Sequence, residues 1–294
     1  MNDPFGGRGD QSFLKAFIED CLNCIFAPFD DVSRGALDLN ERIFMQLESA
    51  WRGTKRWWQF VYQTIRGLPG AFRYYPDTIS QMYYMGVQAL PLVLTAVACI
   101  SMVLALEWGT KLELFGAKLM LGRLVGVSVI REIGPTITGL MLAGRTGAKI
   151  VSEIGNMVLT EQIDALRAFG TDPVKRLIVP RVFASVVLML PLTIVADVFG
   201  IITGWFASTV WMGVDSDFFW LSMKSGLLMK DIVIGSLKPP FYGLLIGMIG
   251  AYYGYTISGG AVGMGRAATR TVMLTSLGVL IMDFLITKTV LAFY

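Results

Sequence analysis

Histidine is absent from all 294 residues. That absence removes Ser-His-Asp and Cys-His catalysis, His-ligated zinc, His-ligated haem and histidine proton relays together. Cysteine is nearly absent: three residues cannot build a disulfide framework. Cys21-Leu22-Asn23-Cys24 is a C-x-x-C without the second ligand pair that a zinc site needs, so no metal centre is expected. The dipeptide Gly-Lys occurs nowhere, which excludes a Walker A lysine and ATP hydrolysis through that motif. Charged residues make up 16%, where a soluble domain carries about a quarter. The net charge of +3 is too small and too dispersed to indicate nucleic acid. The first thirty residues lack an apolar h-region and carry Asp3, Asp10, Glu19, Asp20 and Asp30, so they read as a cytoplasmic polar extension rather than a signal peptide.

What the chain has is apolar residues, at 54%, gathered in long runs. About twenty such residues cross a bilayer, and stretches 87–106, 125–144, 179–203, 241–258 and 272–291 approach that length. Several are imperfect. The first carries Pro91, the second Arg131, Glu132 and Pro135, and Lys238-Pro239-Pro240 precedes the fourth and places Lys238 at its mouth. The expected fold is an all-α integral membrane protein. It divides into a polar extension over 1–45, an interfacial segment over 46–86 and a five-span domain over 87–294.

The interfacial segment mixes aromatics with cations: Trp51, Arg52, Lys55, Arg56, Trp57, Trp58, Tyr62 and Arg66 among them. Amphipathic rings sit at headgroup depth while Lys and Arg reach phosphates, so an amphipathic helix lying on the cytoplasmic leaflet is expected, broken at Gly67-Leu68-Pro69-Gly70. With the N-terminus inside, cytoplasmic segments 1–86, 147–181 and 257–270 hold nine, five and two Lys or Arg, against five outside. That bias places the C-terminus outside. Small residues at four-residue spacing, as in Gly200-x-x-x-Gly204 and Gly243-x-x-x-Gly247, read as helix-packing positions.

Charges within spans are costly and are functional candidates by default: Arg131, Glu132, Asp197, Asp283 and Lys288. Arg131 and Glu132 are adjacent and so point to different faces of a helix, and Lys238 has the sign to meet Glu132. Such groups suit a ligand with a charged head and apolar tails, or they pair to hold helices together. Asp197 and Asp283 read as hydrogen-bond acceptors for neighbouring helices, and Lys288 as a snorkelling end group. A cytoplasmic segment, 152–173, is too polar to span. Within it Thr160-Glu161-Gln162-Ile163-Asp164-Ala165-Leu166-Arg167-Ala168-Phe169 reads as a short helix with Thr160 as cap and Ile163, Leu166 and Phe169 as an apolar stripe. So short a helix must dock. Gly263-Met264-Gly265-Arg266-Ala267-Ala268 matches G-x-G-x-x-A but follows an apolar helix rather than a strand, which argues against a dinucleotide site.

Arg131-Glu132-Ile133-Gly134-Pro135, Leu142-Ala143-Gly144-Arg145-Thr146-Gly147, Glu153-Ile154-Gly155 and Thr160-Glu161-Gln162-Ile163-Asp164-Ala165-Leu166 closely resemble the MlaE-type (YrbE-type) permease family. The likeness continues through Asp172-Pro173 and Val179-Pro180-Arg181 to the run from Gly259 to Arg270. It implies the membrane subunit of an ABC transporter that works with MCE-domain proteins to move phospholipids or other lipids between bacterial membranes. It further implies a homodimer in the inner membrane, a cytoplasmic ABC ATPase that binds ATP and Mg, an MCE-domain partner and no cofactor in this chain. By the same resemblance Arg131, Glu132 and Lys238 lie beside a lipid cavity, Leu112 and Phe115 line it, and Glu161, Ile163, Asp164, Leu166, Arg167 and Phe169 belong to a coupling helix. A separate reading stays open: an ion-coupled secondary transporter using Glu132, Asp197 and Asp283.

Overall fold

A computed structural model describes residues 51, 54–68, 70 and 74–292. The polar extension and its Cys21-x-x-Cys24 lie outside the described residues. The chain divides into two compact units, Met1–Phe60 and Val61–Tyr294, and the membrane helices belong to the second. No strand occurs among the described residues. In chain order the helices are α1 (54–67), α2 (Tyr75–Leu114), α3 (Lys118–Leu159), α4 (Gln162–Ala168), α5 (Val174–Val210), α6 (Ser216–Gly226), α7 (Met229–Tyr255) and α8 (Gly260–Ala292). Five of them, α2, α3, α5, α7 and α8, are long and apolar enough to cross a membrane.

The spans outrun the apolar stretches because their ends carry residues suited to headgroups. α2 starts at Tyr75 and passes through a π-helical turn, Tyr83–Val87, before its apolar run. Tyr75, Ile79 and Tyr83 share one exposed face. Trp108, Trp205, Trp211 and Trp220 cluster by sequence at the opposite end of the bundle, beside α6, and Lys111 stands 5.5 Å over the Trp108 ring. On α1, Trp58, Tyr62 and Ile65 are each exposed.

α5 is the central helix, packed along α2 on one side and α7 on the other, and α7 also contacts α3 and α8. The core joins Val93 and Val97 of α2, Leu142 of α3, Met189 and Ala196 of α5, Tyr242 and Ile246 of α7, and Val279 of α8. A second cluster closes the α6 end, where Phe219 of α6 packs with Ala105, Leu121, Val125, Val129 and Ala207. The small-residue spacing does its expected work. A Cβ on Gly243 would stand 2.4 Å from the Ser185 carbonyl oxygen, and one on Gly247 would stand 2.4 Å from Ser185 Oγ. Ser185 Oγ in turn donates to the Gly243 carbonyl at 2.8 Å, so α5 and α7 touch backbone to backbone.

Two expectations need correcting. Residues 152–159 continue α3 instead of belonging to a separate polar segment, since Ile154 and Gly155 are buried on its inner face. Thr160 does not cap the short helix: its hydroxyl donates back to the Asn156 carbonyl at 2.8 Å, closing α3, and Glu161 turns the chain in a left-handed conformation at φ 58°. α4 then starts at Gln162.

A buried charge cluster as the candidate functional site

Proline shapes the site. Pro135 has no N–H to give, and α3 absorbs the loss with a π-helical turn over Val129–Ile133. Pro239 and Pro240 sit inside α7, not before it, so Lys238 lies nine residues past Met229, about 14 Å into the helix at 1.5 Å per residue. The basic position expected at the mouth of the fourth span is therefore within the bundle. Gly235 lets α7 close on the π turn: a Cβ there would be 2.2 Å from the Ile130 carbonyl oxygen. This contact brings Lys238 beside Glu132.

Lys238 has no exposed surface, and its Nζ lies 2.6 Å from Glu132 Oε2 and 2.8 Å from Asp283 Oδ1. Asp283 also accepts from the Tyr242 hydroxyl at 2.8 Å and from the Thr136 hydroxyl at 3.0 Å. α3, α7 and α8 thus meet in one polar knot. Isolated charges at such depth would be prohibitive, while paired and hydrogen-bonded ones persist. The two carboxylates are not equivalent. Asp283 is 18% exposed and held by three donors, whereas Glu132 keeps 41% of its side chain exposed and receives only a long 3.4 Å hydrogen bond from Thr287 beyond its lysine contact.

Arg131 points elsewhere, as adjacency on a helix requires. Its guanidinium is 3.4 Å from Asp231, seven residues from Lys238 and nearer the α6 end. Asp231 is 5% exposed and also accepts from the Leu228 backbone N–H, capping α7. Sequence reasoning missed Asp231, Tyr242 and Thr136, whose roles arise only once three helices meet. It assigned Asp283 to helix bonding, and Asp283 does accept from Thr136, but its ion pair with Lys238 puts it in the cluster. Asp197 differs from expectation. Its buried Oδ1 has no hydrogen-bond partner, because it lies against Gly134 of α3, whose own N–H is spent on the Val129 carbonyl. Leu112 packs beside the Phe219 cluster, Phe115 is 84% exposed in the turn after α2, and Lys288 is exposed.

At the other end of the bundle α4 is pinned from two directions. Ile163 is buried, while Arg167 hydrogen-bonds Tyr255 at the end of α7, stands 5.7 Å over its ring, and pairs with Asp164 at 2.9 Å. The Tyr255 hydrogen bond, followed by an opposing effect of burial and a supporting one from Asp164, raises the Arg167 pKa. Leu166 is half-buried, Glu161 exposed, and Phe169 84% exposed just beyond the helix. The stripe is therefore split: Ile163 serves the chain's own fold and Phe169 is left over.

Five apolar helices, three of them joined by an ion-paired charge cluster, define a polytopic helical membrane protein. The chain belongs to the MlaE permease family, whose model, described as Permease MlaE, matches residues 78–289. It is 37% identical over 228 residues to the intermembrane phospholipid transport system permease protein MlaE of Haemophilus influenzae, covering 77% of this chain and 87% of that protein. It is 36% identical over 215 residues to a probable ABC transporter permease protein of Rickettsia bellii, covering 73% and 83%. The chloroplastic protein TRIGALACTOSYLDIACYLGLYCEROL 1 of Arabidopsis thaliana is 29% identical over 212 residues, covering 72% of this chain and 61% of that one.

Proposed function

We propose that this chain is the membrane subunit of an ABC transporter that moves phospholipids between the membranes of a bacterial envelope. The observation that carries the reading, within the family, is the contrast at α4: one apolar residue, Ile163, is buried and anchors it, and another just past its end, Phe169, is left exposed. That suits a coupling element for a separate cytoplasmic ATPase, which would bind ATP and Mg, and the permease needs no nucleotide site of its own. The excess of Lys and Arg in the segments around α4 supports a cytoplasmic α4 end and a periplasmic α6 end.

Two copies are proposed to assemble through the inner membrane, with an MCE-domain protein at the periplasmic end. α8 is the least buried span and offers Leu274, Leu277, Ile281 and Phe284 as exposed apolar surface. The lipid is proposed to lie beside Arg131 and Glu132, its acyl chains on apolar helix faces and its head at the open side of the charge cluster.

Reconstituting the chain with its ATPase in phospholipid vesicles tests the reading. ATP-dependent lipid movement is expected. Glu132→Lys should leave the complex assembled, since Asp283 still neutralises Lys238, yet abolish transport. Parent-rate transport by Glu132→Lys would remove the cluster from the lipid route, and transport driven by an ion gradient without ATP would replace the function itself.

A further inference from the structure

The opening segment of α2, residues 75–87, is joined to the bundle differently from the rest of the helix. It ends at a turn over Gln88 and Ala89, with the π-helical turn Tyr83–Val87 before it and Pro91 after it. A helix interrupted in this way bends there more easily than elsewhere. Beyond the turn, Val93 and Val97 fix α2 in the apolar core. Before it, cations from two other helices join in. Arg145, in a second π-helical turn of α3 over Ala143–Gly147, donates to the Gln88 carbonyl. Lys149, one helical turn further along α3, lies 3.5 Å from the Tyr84 carbonyl oxygen and 4.9 Å over the Tyr84 ring. Arg176 of α5 pairs with Asp77 at 3.3 Å and stands 4.8 Å over the Tyr74 ring.

These cations stand on the two flanks of α4. Lys149 is on α3, which runs into α4 from Leu159, and Arg176 is on α5, which begins after α4 at Val174. Glu153 ties the flanks to each other, 3.9 Å from Lys149 and 3.4 Å from the Arg181 guanidinium of α5. A displacement of α4 therefore reaches residues 75–87 from both sides. We infer that this segment is a relay that carries movement of α4 into the spanning part of α2, with Arg176 on Asp77 and Lys149 on Tyr84 as its positioning residues. The inference rests on the reading of α4 as the coupling element and adds the route by which coupling reaches a span. Exposure separates moving contacts from static ones. Asp77 and Arg176 keep 50% and 44% of their side chains exposed, and pairs this open contribute little stability, so the contact breaks and re-forms easily. Arg181, with 6% of its side chain exposed against Glu153, belongs to the static frame.

The test uses the transporter assembled with its ATPase in phospholipid vesicles and measures lipid moved and ATP hydrolysed in the same sample, so that their ratio reports coupling. Asp77→Arg sets two cations face to face. It should leave ATPase copurification and the melting temperature of the complex at the parent values while lowering lipid moved per ATP by about tenfold, within the range that residues between two coupled sites command. Asp77→Arg combined with Arg176→Asp restores the pair in reverse and should recover most of the ratio. Lys149→Met keeps a long stem beside Tyr84 without the charge and should lower the ratio in the same direction. Asp77→Asn, which removes the attraction without adding a charge, carries the same expectation with a smaller loss and serves where Asp77→Arg does not assemble. A parent ratio in the Asp77 variants overturns the relay, as does a lowered ratio that the reversed pair leaves unchanged, while the permease reading stands in both cases. A parent complex that moves no lipid with ATP overturns the permease reading itself.

Discussion

Lys238 of α7 and Asp283 of α8 are joined by a 2.8 Å ion pair in which the lysine has no exposed surface. The pair ties the least buried span to the best-buried one, close to the two prolines that weaken the backbone of α7. Tyr242, one turn along α7, donates to the same Asp283 oxygen, so α7 holds α8 at two successive levels. Glu132 completes the lysine's coordination from α3 yet retains open surface. The cluster therefore combines a fixed half, Asp283 with Tyr242, and an open half, Glu132.

Breaking the fixed half should be worse than removing it. Asp283→Leu leaves Lys238 with one carboxylate and leaves the Tyr242 hydroxyl without its acceptor, and losing one partner of a buried pair costs about 3–5 kcal/mol. Lys238→Met combined with Asp283→Leu takes both charges away and leaves only Glu132, which is exposed enough to be hydrated. The double variant should recover most of the melting temperature in detergent and none of the lipid transport. Equal melting temperatures for the single and double variants would show that the pair is not what holds α8.

The five spans were legible in the sequence because bilayer thickness fixes a length and apolar composition fixes a solvent, and neither depends on tertiary contacts. The divergence of Arg131 from Glu132 was legible for a similar reason, since neighbours on a helix cannot share a face. The partners were not. Asp231 and Asp283 lie 100 and 152 residues from Arg131, and only packing decides which carboxylate meets which cation. Lys238-Pro239-Pro240 read as a break because two prolines and a charge oppose a membrane helix locally. The helix persists because Gly235 admits the Ile130 carbonyl and because two carboxylates wait at the same depth. α6 escaped notice since its eleven residues carry a short, mixed pattern whose anchor, Phe219, is apolar like its exposed neighbour Phe218.

Gly134 and Asp197 form a steric pair that a double substitution can expose. A Cβ on Gly134 would stand 1.5 Å from Asp197 Oδ1, so Gly134→Ala forces the carboxyl or the helices apart, at about 1–3 kcal/mol for an overpacked site. Asp197→Ala alone deletes a buried oxygen that has no hydrogen-bond partner, and should be neutral or stabilising. The two together should melt near the parent temperature. If Asp197→Ala fails to rescue Gly134→Ala, the strain lies in the α3 backbone instead.

The division on α4 separates folding from coupling. Phe169 is 84% exposed, so Phe169→Asp removes little contact within the chain and should change its stability only slightly, within about 0.5 kcal/mol for an exposed site. It should nevertheless cut copurification of the ATPase and abolish lipid-stimulated ATP hydrolysis, because an aspartate cannot enter an apolar groove without losing its hydration. Ile163→Asp should do the reverse at first reading: it buries a charge beneath α4 and lowers the melting temperature before any partner is added. Arg167→Ala, which loses the hydrogen bond to Tyr255 and the contact with Asp164, should loosen α4 and weaken coupling while the ATPase remains partly bound. Measuring melting temperature and ATPase copurification side by side for the three variants resolves the roles. If Phe169→Asp binds the ATPase as the parent does, the exposed ring is not the contact, and the coupling surface must be sought elsewhere on the same end of the bundle.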